Sequence, residues 1–147
     1  MTITYKEVEH GSDEYRETVT LRNRLLREPL GLKFEPEELE AENDSRHLAC
    51  YQDGKLAACL VLIPESGGKI RMRQLAVEEH CQRKGIGTAL VAYSESVAVG
   101  LDCNEMVLHA REEAVPFYER LGYEKRGESF IAVTIPHFFM RKCLLDA

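Results

Sequence analysis

Hydrophobic and polar positions alternate with two different periods along the chain. Thr2 to Val8 interleaves β-branched and aromatic residues with polar ones and ends at Gly11-Ser12, which predicts a first strand. Ser12 then stands as an N-cap with Asp13 and Glu14 in the first turn. Tyr15, Val19, Leu25 and Leu26 form a broad apolar helical face that Pro29 brings to an end. Period two returns at His47 to Gln52 and Lys55 to Ile63, joined by Asp53-Gly54, a pair that supplies the positive φ angles of a type I′ hairpin turn. Pro64 to Gly68 predicts a further turn. Lys69 to Val77 is the third strand of this meander, alternating Ile70 and Met72 with Arg71 and Arg73 before becoming apolar at Leu75-Ala76-Val77. Ahead of the meander, Glu35 to Asp44 carries six acids, a pattern that predicts a solvated loop or short helix.

From Ile86 the spacing turns helical, with Ile86, Leu90, Val91, Ser94, Val97 and Ala98 on one side and Gly100 as a C′ stop. Glu105 to Arg111 predicts another strand, and Glu113 to Leu121 a short helix closed by Gly122. Tyr123 to Thr134 and Phe138 to Cys143 predict the last strands. A strand, a glycine-led helix and a second strand describe a βαβ crossover, so Lys69–Val77 and Glu105–Arg111 run parallel if they are adjacent. The fold class is α/β (α+β), with a mixed sheet.

A length of 147 residues with 44% hydrophobic composition fits one domain over 1–147, since a chain of this size buries roughly 70% of its unfolded surface around one core. The balance of 19 Lys+Arg against 25 Asp+Glu gives net charge −6, which argues against a nucleic-acid partner and makes any cationic site local. Five scattered cysteines, never in CxxC spacing, argue against a disulfide framework and against a zinc site. The N-terminus lacks an apolar leader core, and the longest apolar run, Ala57 to Ile63, is far too short to span a bilayer. The expected setting is the cytoplasm, without a membrane partner.

Against this acidic background, "CQRKGIGTAL", Cys81 to Leu90, places two cations and two glycines directly before a helix. A helix N-terminus offers unpaired N–H groups, and glycines let a ligand approach them, an environment suited to phosphate. A P-loop fails on spacing because Gly85 and Gly87 follow Lys84. A dinucleotide fingerprint fails because Leu90 holds the sixth position and the preceding strands form an antiparallel meander. The pattern Gln-x-x-Gly-x-Gly is met in full by Gln82 to Gly87. Here the chain resembles the GNAT family of acyl-CoA-dependent N-acetyltransferases. The resemblance extends to the preceding strand "RQLAV" (Arg73 to Val77) and to "AVPFYERLGY" (Ala114 to Tyr123), and "IPHFFMRK" (Ile135 to Lys142) is similar to small bacterial members.

The resemblance implies a mostly antiparallel sheet of six to seven strands flanked by helices, in which the strand ending at Leu75-Ala76-Val77 bulges and splays from its parallel partner. It also implies acetyl transfer from acetyl-CoA to a primary amine of a small molecule, peptide or protein, by direct attack in a ternary complex and without a metal. The cofactor-binding residues would be Leu75, Ala76, Val77, Gln82, Arg83, Lys84, Gly85, Ile86, Gly87, Thr88, Arg111 and Phe117, and the catalytic residue Tyr118, at the coenzyme A sulfur. The amine must lose a proton, and His109, Glu113 and His137 are open candidates to take it. Arg111 stands where many members have Asn, so it either replaces the amide donor or reaches toward a phosphate or an acidic acceptor. Arg71 and Arg73 face either the acceptor cleft, favouring a carboxylate-bearing substrate, or solvent, and Cys81 reads as a passive thiol. The competing function is a non-catalytic acyl-CoA-binding regulatory domain of the same fold. The assembly expected is a monomer or homodimer.

Overall fold

The computed structural model describes residues 2–145. Seven strands, β1 (Ile3–Val8), β2 (Arg46–Gln52), β3 (Lys55–Pro64), β4 (Lys69–Val77), β5 (Glu105–Arg111), β6 (Glu124–Ala132) and β7 (Ile135–Cys143), form one sheet in the order β1-β2-β3-β4-β5-β7-β6. Every neighbouring pair is antiparallel except β4 and β5, which the crossover through α3 (Ile86–Gly100) makes parallel. The remaining helices are α1 (Asp13–Arg22), α2 (Pro36–Glu40) and α4 (Val115–Arg120).

The two faces of the sheet are covered differently. Leu48, Leu60, Leu62, Ile70, Met72, Met106 and Leu108 project to one face, where Ile86, Leu90, Val91 and Ala98 of α3 close the main core. On the other face α1 covers only the first half of the sheet, with Tyr15 over Val8, Ala49 and Tyr51, and Leu21 over Cys59 and Ala76. The Asp53-Gly54 turn has φ values of 51° and 81°, the left-handed pair that the sequence requires of a type I′ hairpin.

Several elements differ from the sequence expectation. The first helix keeps α geometry only to Arg22. Asn23–Arg27 widens to a π turn and Glu28–Leu30 tightens to a 3₁₀ turn, because Pro29 has no N–H to continue the ladder. Gly100 does not stop α3. The left-handed position is Asp102 (φ 63°), whose N–H bonds to Val99 O while that of Cys103 bonds to Ala98 O, a Schellman closure built on Asp. The helix expected from Glu113 opens as a 3₁₀ turn over Glu112–Ala114 and becomes α at Val115. The final strands meet at Val133-Thr134, both left-handed (φ 50° and 68°), a hairpin turn without a glycine to announce it.

The acidic stretch also departs from its expected role. It contains α2 and a 3₁₀ turn, Ala41–Asp44, and Glu42 is not solvated: both its oxygens accept from the fully buried Arg22 at 2.9 Å. Tyr15 Oη donates to the same carboxylate at 2.8 Å, and His47 Nε2 donates to the Glu42 carbonyl at 3.0 Å. Arg22 donates as well to Gln74 Oε1 and lies against the rings of Tyr15 and Phe34. Gln74 sits at a bulge in β4: Cys59 and Val61 of β3 pair with Ala76 and Arg73, so β4 carries an extra residue there, and Gln74 takes a positive φ of 57°.

This cluster sets the acid response of the fold. Burial acts to raise the Glu42 carboxyl, but the hydrogen bonds and charge of Arg22, with the Tyr15 hydroxyl, bring it below its ordinary value. Its stabilising contribution is therefore complete above the unfolded value and lost as pH falls through the folded one. Burial lowers the His47 imidazole, so the folded chain resists a proton that the unfolded chain accepts below about pH 6.5. Both effects weaken the fold on acidification, His47 first and Glu42 at lower pH. Removing one partner of a buried ion pair costs about 3–5 kcal/mol. Glu42→Gln is accordingly expected to lower unfolding free energy by about that amount and to flatten the decline below about pH 4.5, read by urea denaturation across pH.

Candidate functional site

The site begins where the parallel pair comes apart. β4 and β5 pair only from Lys69↔Glu105 to Met72↔Leu108. Beyond Met72 the bulge at Gln74 turns β4 away, while β5 remains paired with β7 as far as Arg111↔His137. The two facing strand edges, Arg73–Val77 and His109–Arg111, border a cleft of about 890 Å³. An extended chain entering it can pair with the free β4 edge as an added strand.

At one end of the cleft lies the turn from Gln82 into α3. Arg83 and Gly85 are left-handed (φ 63° and 82°), and Gly85 caps α3 without a side-chain hydrogen bond. Among the described residues, no protein group accepts from the backbone N–H groups of Arg83 to Thr88; the first bond of the helix runs from Ala89 N to Gly85 O at 2.9 Å. Successive N–H donors at a helix start concentrate positive potential at one point. Gln82 fixes this turn to β4, its Nε2 donating to Val77 O at 3.0 Å. Packing at Gly87 is tight: a Cβ there would lie 3.3 Å from Val77 Cγ2, displacing that side chain by a few tenths of an ångström, and 3.5 Å from Phe117 Cζ.

Phe117 and Tyr118, from α4, form the next part of the wall. Tyr118 packs edge-on against Phe117 and Tyr123, with 8% of its surface exposed. Its hydroxyl makes no hydrogen bond with the described residues, and the residue belongs to the cleft lining. Burial pushes the phenol well above its ordinary value, so it remains protonated and available as a donor.

The far wall is cationic. Arg71 Nε donates to Glu65 at 2.7 Å and its Nη1 to His109 Nε2 at 3.0 Å. A guanidinium can only donate, so Nε2 of His109 is the acceptor and its proton sits on Nδ1. Partial burial and the charge of Arg71 both lower the His109 imidazole. His137, only 6% exposed, has the opposite arrangement: Nδ1 lies 2.9 Å from Ile135 O, a carbonyl that can only accept, leaving Nε2 with its lone pair. Arg111 Nη2 donates to Leu26 O at 2.6 Å and so joins β5 to the π turn that follows α1. Desolvation lowers the Arg111 guanidinium without discharging it.

Of the residues expected at a cofactor site, Leu75, Val77, Gln82, Arg83, Gly85, Gly87, Thr88, Arg111 and Phe117 line this cleft, as does Tyr118. The side chains of Ala76 and Ile86 instead enter the core, on the α1 and α3 sides, and Lys84 is exposed. Those three positions can contribute backbone groups alone or, for Lys84, long-range charge. His109, Glu113 and His137 also border the cleft. Cys81 is buried, with its sulfur 3.7 Å from Gln52 Oε1, which suits the passive role. The sequence reading did not include Leu26, Arg27 and Phe34, contributed by the segment after α1, or Ala132 and Val133 at the final hairpin. No local motif marks them, since only the return of distant segments brings them to the cleft. Among the described residues no cluster of His, Cys, Asp and Glu is arranged to hold a metal ion.

A family model described as an acetyltransferase (GNAT) domain matches residues 15–144. A Bacillus subtilis protein named an uncharacterized N-acetyltransferase, YjcF, is 25% identical over 140 residues, 90% of this chain and 94% of its own. An acyl-CoA N-acyltransferase from Pseudomonas aeruginosa shares the fold with a TM-score of 0.80 at 20% identity, over 96% of this chain and 99% of its own. An aminoglycoside 6′-N-acetyltransferase complexed with coenzyme A superposes with a TM-score of 0.79 at 17% identity, over 98% of both chains. The splayed pair, the donor-lined turn and the match across almost the whole sequence lead to one assignment: this chain belongs to the GNAT family of acetyltransferases.

Proposed function

We propose that the protein transfers an acetyl group from acetyl-CoA to an amine by direct attack in a ternary complex. The observation that carries this reading is the run of N–H groups from Arg83 to Thr88 with no protein acceptor, opening onto a strand edge that leads toward Tyr118. Those amides suit the diphosphate of the cosubstrate, and the β4 edge beyond Gln74 suits its amide-bearing arm. The coenzyme A bound by a structural neighbour at this fold supports the choice of donor.

In the reaction the amine nitrogen attacks the thioester carbonyl, the carbon–sulfur bond breaks, and sulfur leaves with the bonding electron pair. Tyr118 stabilises that sulfur by a hydrogen bond. Full proton transfer is disfavoured by about 2 kcal/mol on reference values of about 10 for a phenol and 8.5 for a thiol, and burial of Tyr118 opposes loss of its proton. An alkylamine must also be deprotonated, which costs about 4.6 kcal/mol at pH 7. His137 is assigned this proton, because Nε2 keeps its lone pair while Nδ1 is tied to Ile135 O. His109 is less suited, its Nε2 being occupied by Arg71.

Free-thiol release from acetyl-CoA with a panel of amines tests the activity. Cosubstrate binding without release on any amine would favour the silent regulatory domain. Tyr118→Phe is expected to reduce kcat by at least about 10-fold while leaving the acetyl-CoA KM and the melting temperature near wild type, because the hydroxyl has no partner among the described residues. His137→Ala is expected to reduce kcat by about 10²-fold, the usual scale for a general base, and to alter the pH–rate profile. A wild-type profile in His137→Ala, with a loss in His109→Ala or Glu113→Ala instead, would reassign the base.

A further inference from the structure

The arginines of β4 lie on the wrong face of the sheet to serve the diphosphate turn. Ile70 and Met72 point into the core beneath α3, so the intervening Arg71 and Arg73 project to the opposite face. Register agrees: Arg73 pairs with Val61, and two residues along β3 Cys59, paired with Ala76, lies under Leu21 of α1. His109 and Arg111 share that face, since Leu108 and Ala110 of β5 enter the α3 core. This is the side from which an acceptor would reach a thioester held in the splay.

Most of the positive charge here is already committed. Arg71 is held by Glu65 and His109, and Arg111 by Leu26 O. Arg27 pairs with Glu38 at 3.2 Å and stacks over Phe34 at 4.1 Å. Arg73 is exposed and forms no ion pair or hydrogen bond among the described residues, although its charge contributes to lowering the Glu38 carboxyl. Among the residues lining the cleft only Glu113 carries a carboxylate. On a chain of net charge −6, such a wall attracts an anion and repels a polycation.

We propose that the acceptor amine also carries a carboxylate, and that Arg73 grips it through its forked donors while the neighbouring arginines supply the field. The assignment rests on the acetyl-transfer reading for the word acceptor, but not for the anion site itself. Arg presents paired donors that match a carboxylate, and an amide or alkyl group in the same place leaves them unsatisfied.

The test compares glutamate, its diamide, propylamine (glutamate's carbon chain with both carboxylates removed), O-phosphoethanolamine and the diamine putrescine as acceptors at saturating acetyl-CoA. In parallel, calorimetry follows N-acetylglutamate and its diamide binding to the coenzyme A-loaded protein, a readout that needs no turnover. The carboxylates are expected to lead by at least about 10-fold in kcat/KM and in affinity, the scale of one charge-assisted bidentate contact. Arg73→Ala should abolish that preference and Arg73→Lys restore part of it, with the acetyl-CoA KM retained. Equal or better use of the diamine or uncharged amines, a lead for the phosphate, or an Arg73→Ala effect confined to acetyl-CoA would overturn the proposal. Arg73-dependent binding of N-acetylglutamate without turnover of any amine would support the anion site and sink the acetyl-transfer reading alone.

Discussion

The structure depends on one buried cation. Arg22 carries its charge into a site walled by Tyr15 and Phe34, where a guanidinium must find acceptors or destabilise the fold. It finds the carboxylate of Glu42 and the amide oxygen of Gln74. The second contact holds β4 at the residue whose φ of 57° breaks its register with β3. A buried ion pair is a weak source of net stability but penalises arrangements that separate its partners. Here the arrangement selected is a β4 that leaves β5 after Met72, and without that departure the sheet has no cleft.

The departure divides the protein into two chemical territories. On the α3 side the wall is apolar, lined by Val77, Gly87 and Phe117, and ends at backbone donors that suit phosphate. On the α1 side the wall is cationic and aromatic, and α1 stops short of covering it. The π turn after Arg22 contributes to that limit by ending the helix and presenting Leu26 O to Arg111. One helix terminus thus bounds the acceptor side, while the bulge opens the passage toward the other.

Much of the fold was legible because its signals are local. Asp53-Gly54 specifies a turn by the conformations those residues tolerate, and the spacing of Ile86, Leu90 and Val91 specifies a buried helical face. Gln82, Gly85 and Gly87 marked the donor-lined turn for the same reason. The misses are places where backbone geometry lacks its usual residue: Asp102 closes α3 in place of Gly100, and Val133-Thr134 turns a hairpin with no glycine. Glu42 was read as one solvated acid among six because nothing in its neighbourhood along the chain announces Arg22, twenty residues earlier.

The sequence by itself determined the order of elements, the strand–helix–strand unit and the position of the phosphate-suited turn, since each follows from periodicity or from the torsional freedom of a few consecutive residues. Tertiary structure alone decided which candidate side chains are available for chemistry. His109 and His137 are indistinguishable as letters, yet one has its Nε2 lone pair occupied by Arg71 and the other has its proton directed to Ile135 O. Arg111 and Arg73 are likewise equal in charge, but only the first is committed to a carbonyl, that of Leu26. Hydrogen-bond availability depends on neighbours brought from distant segments, and periodicity carries no record of them.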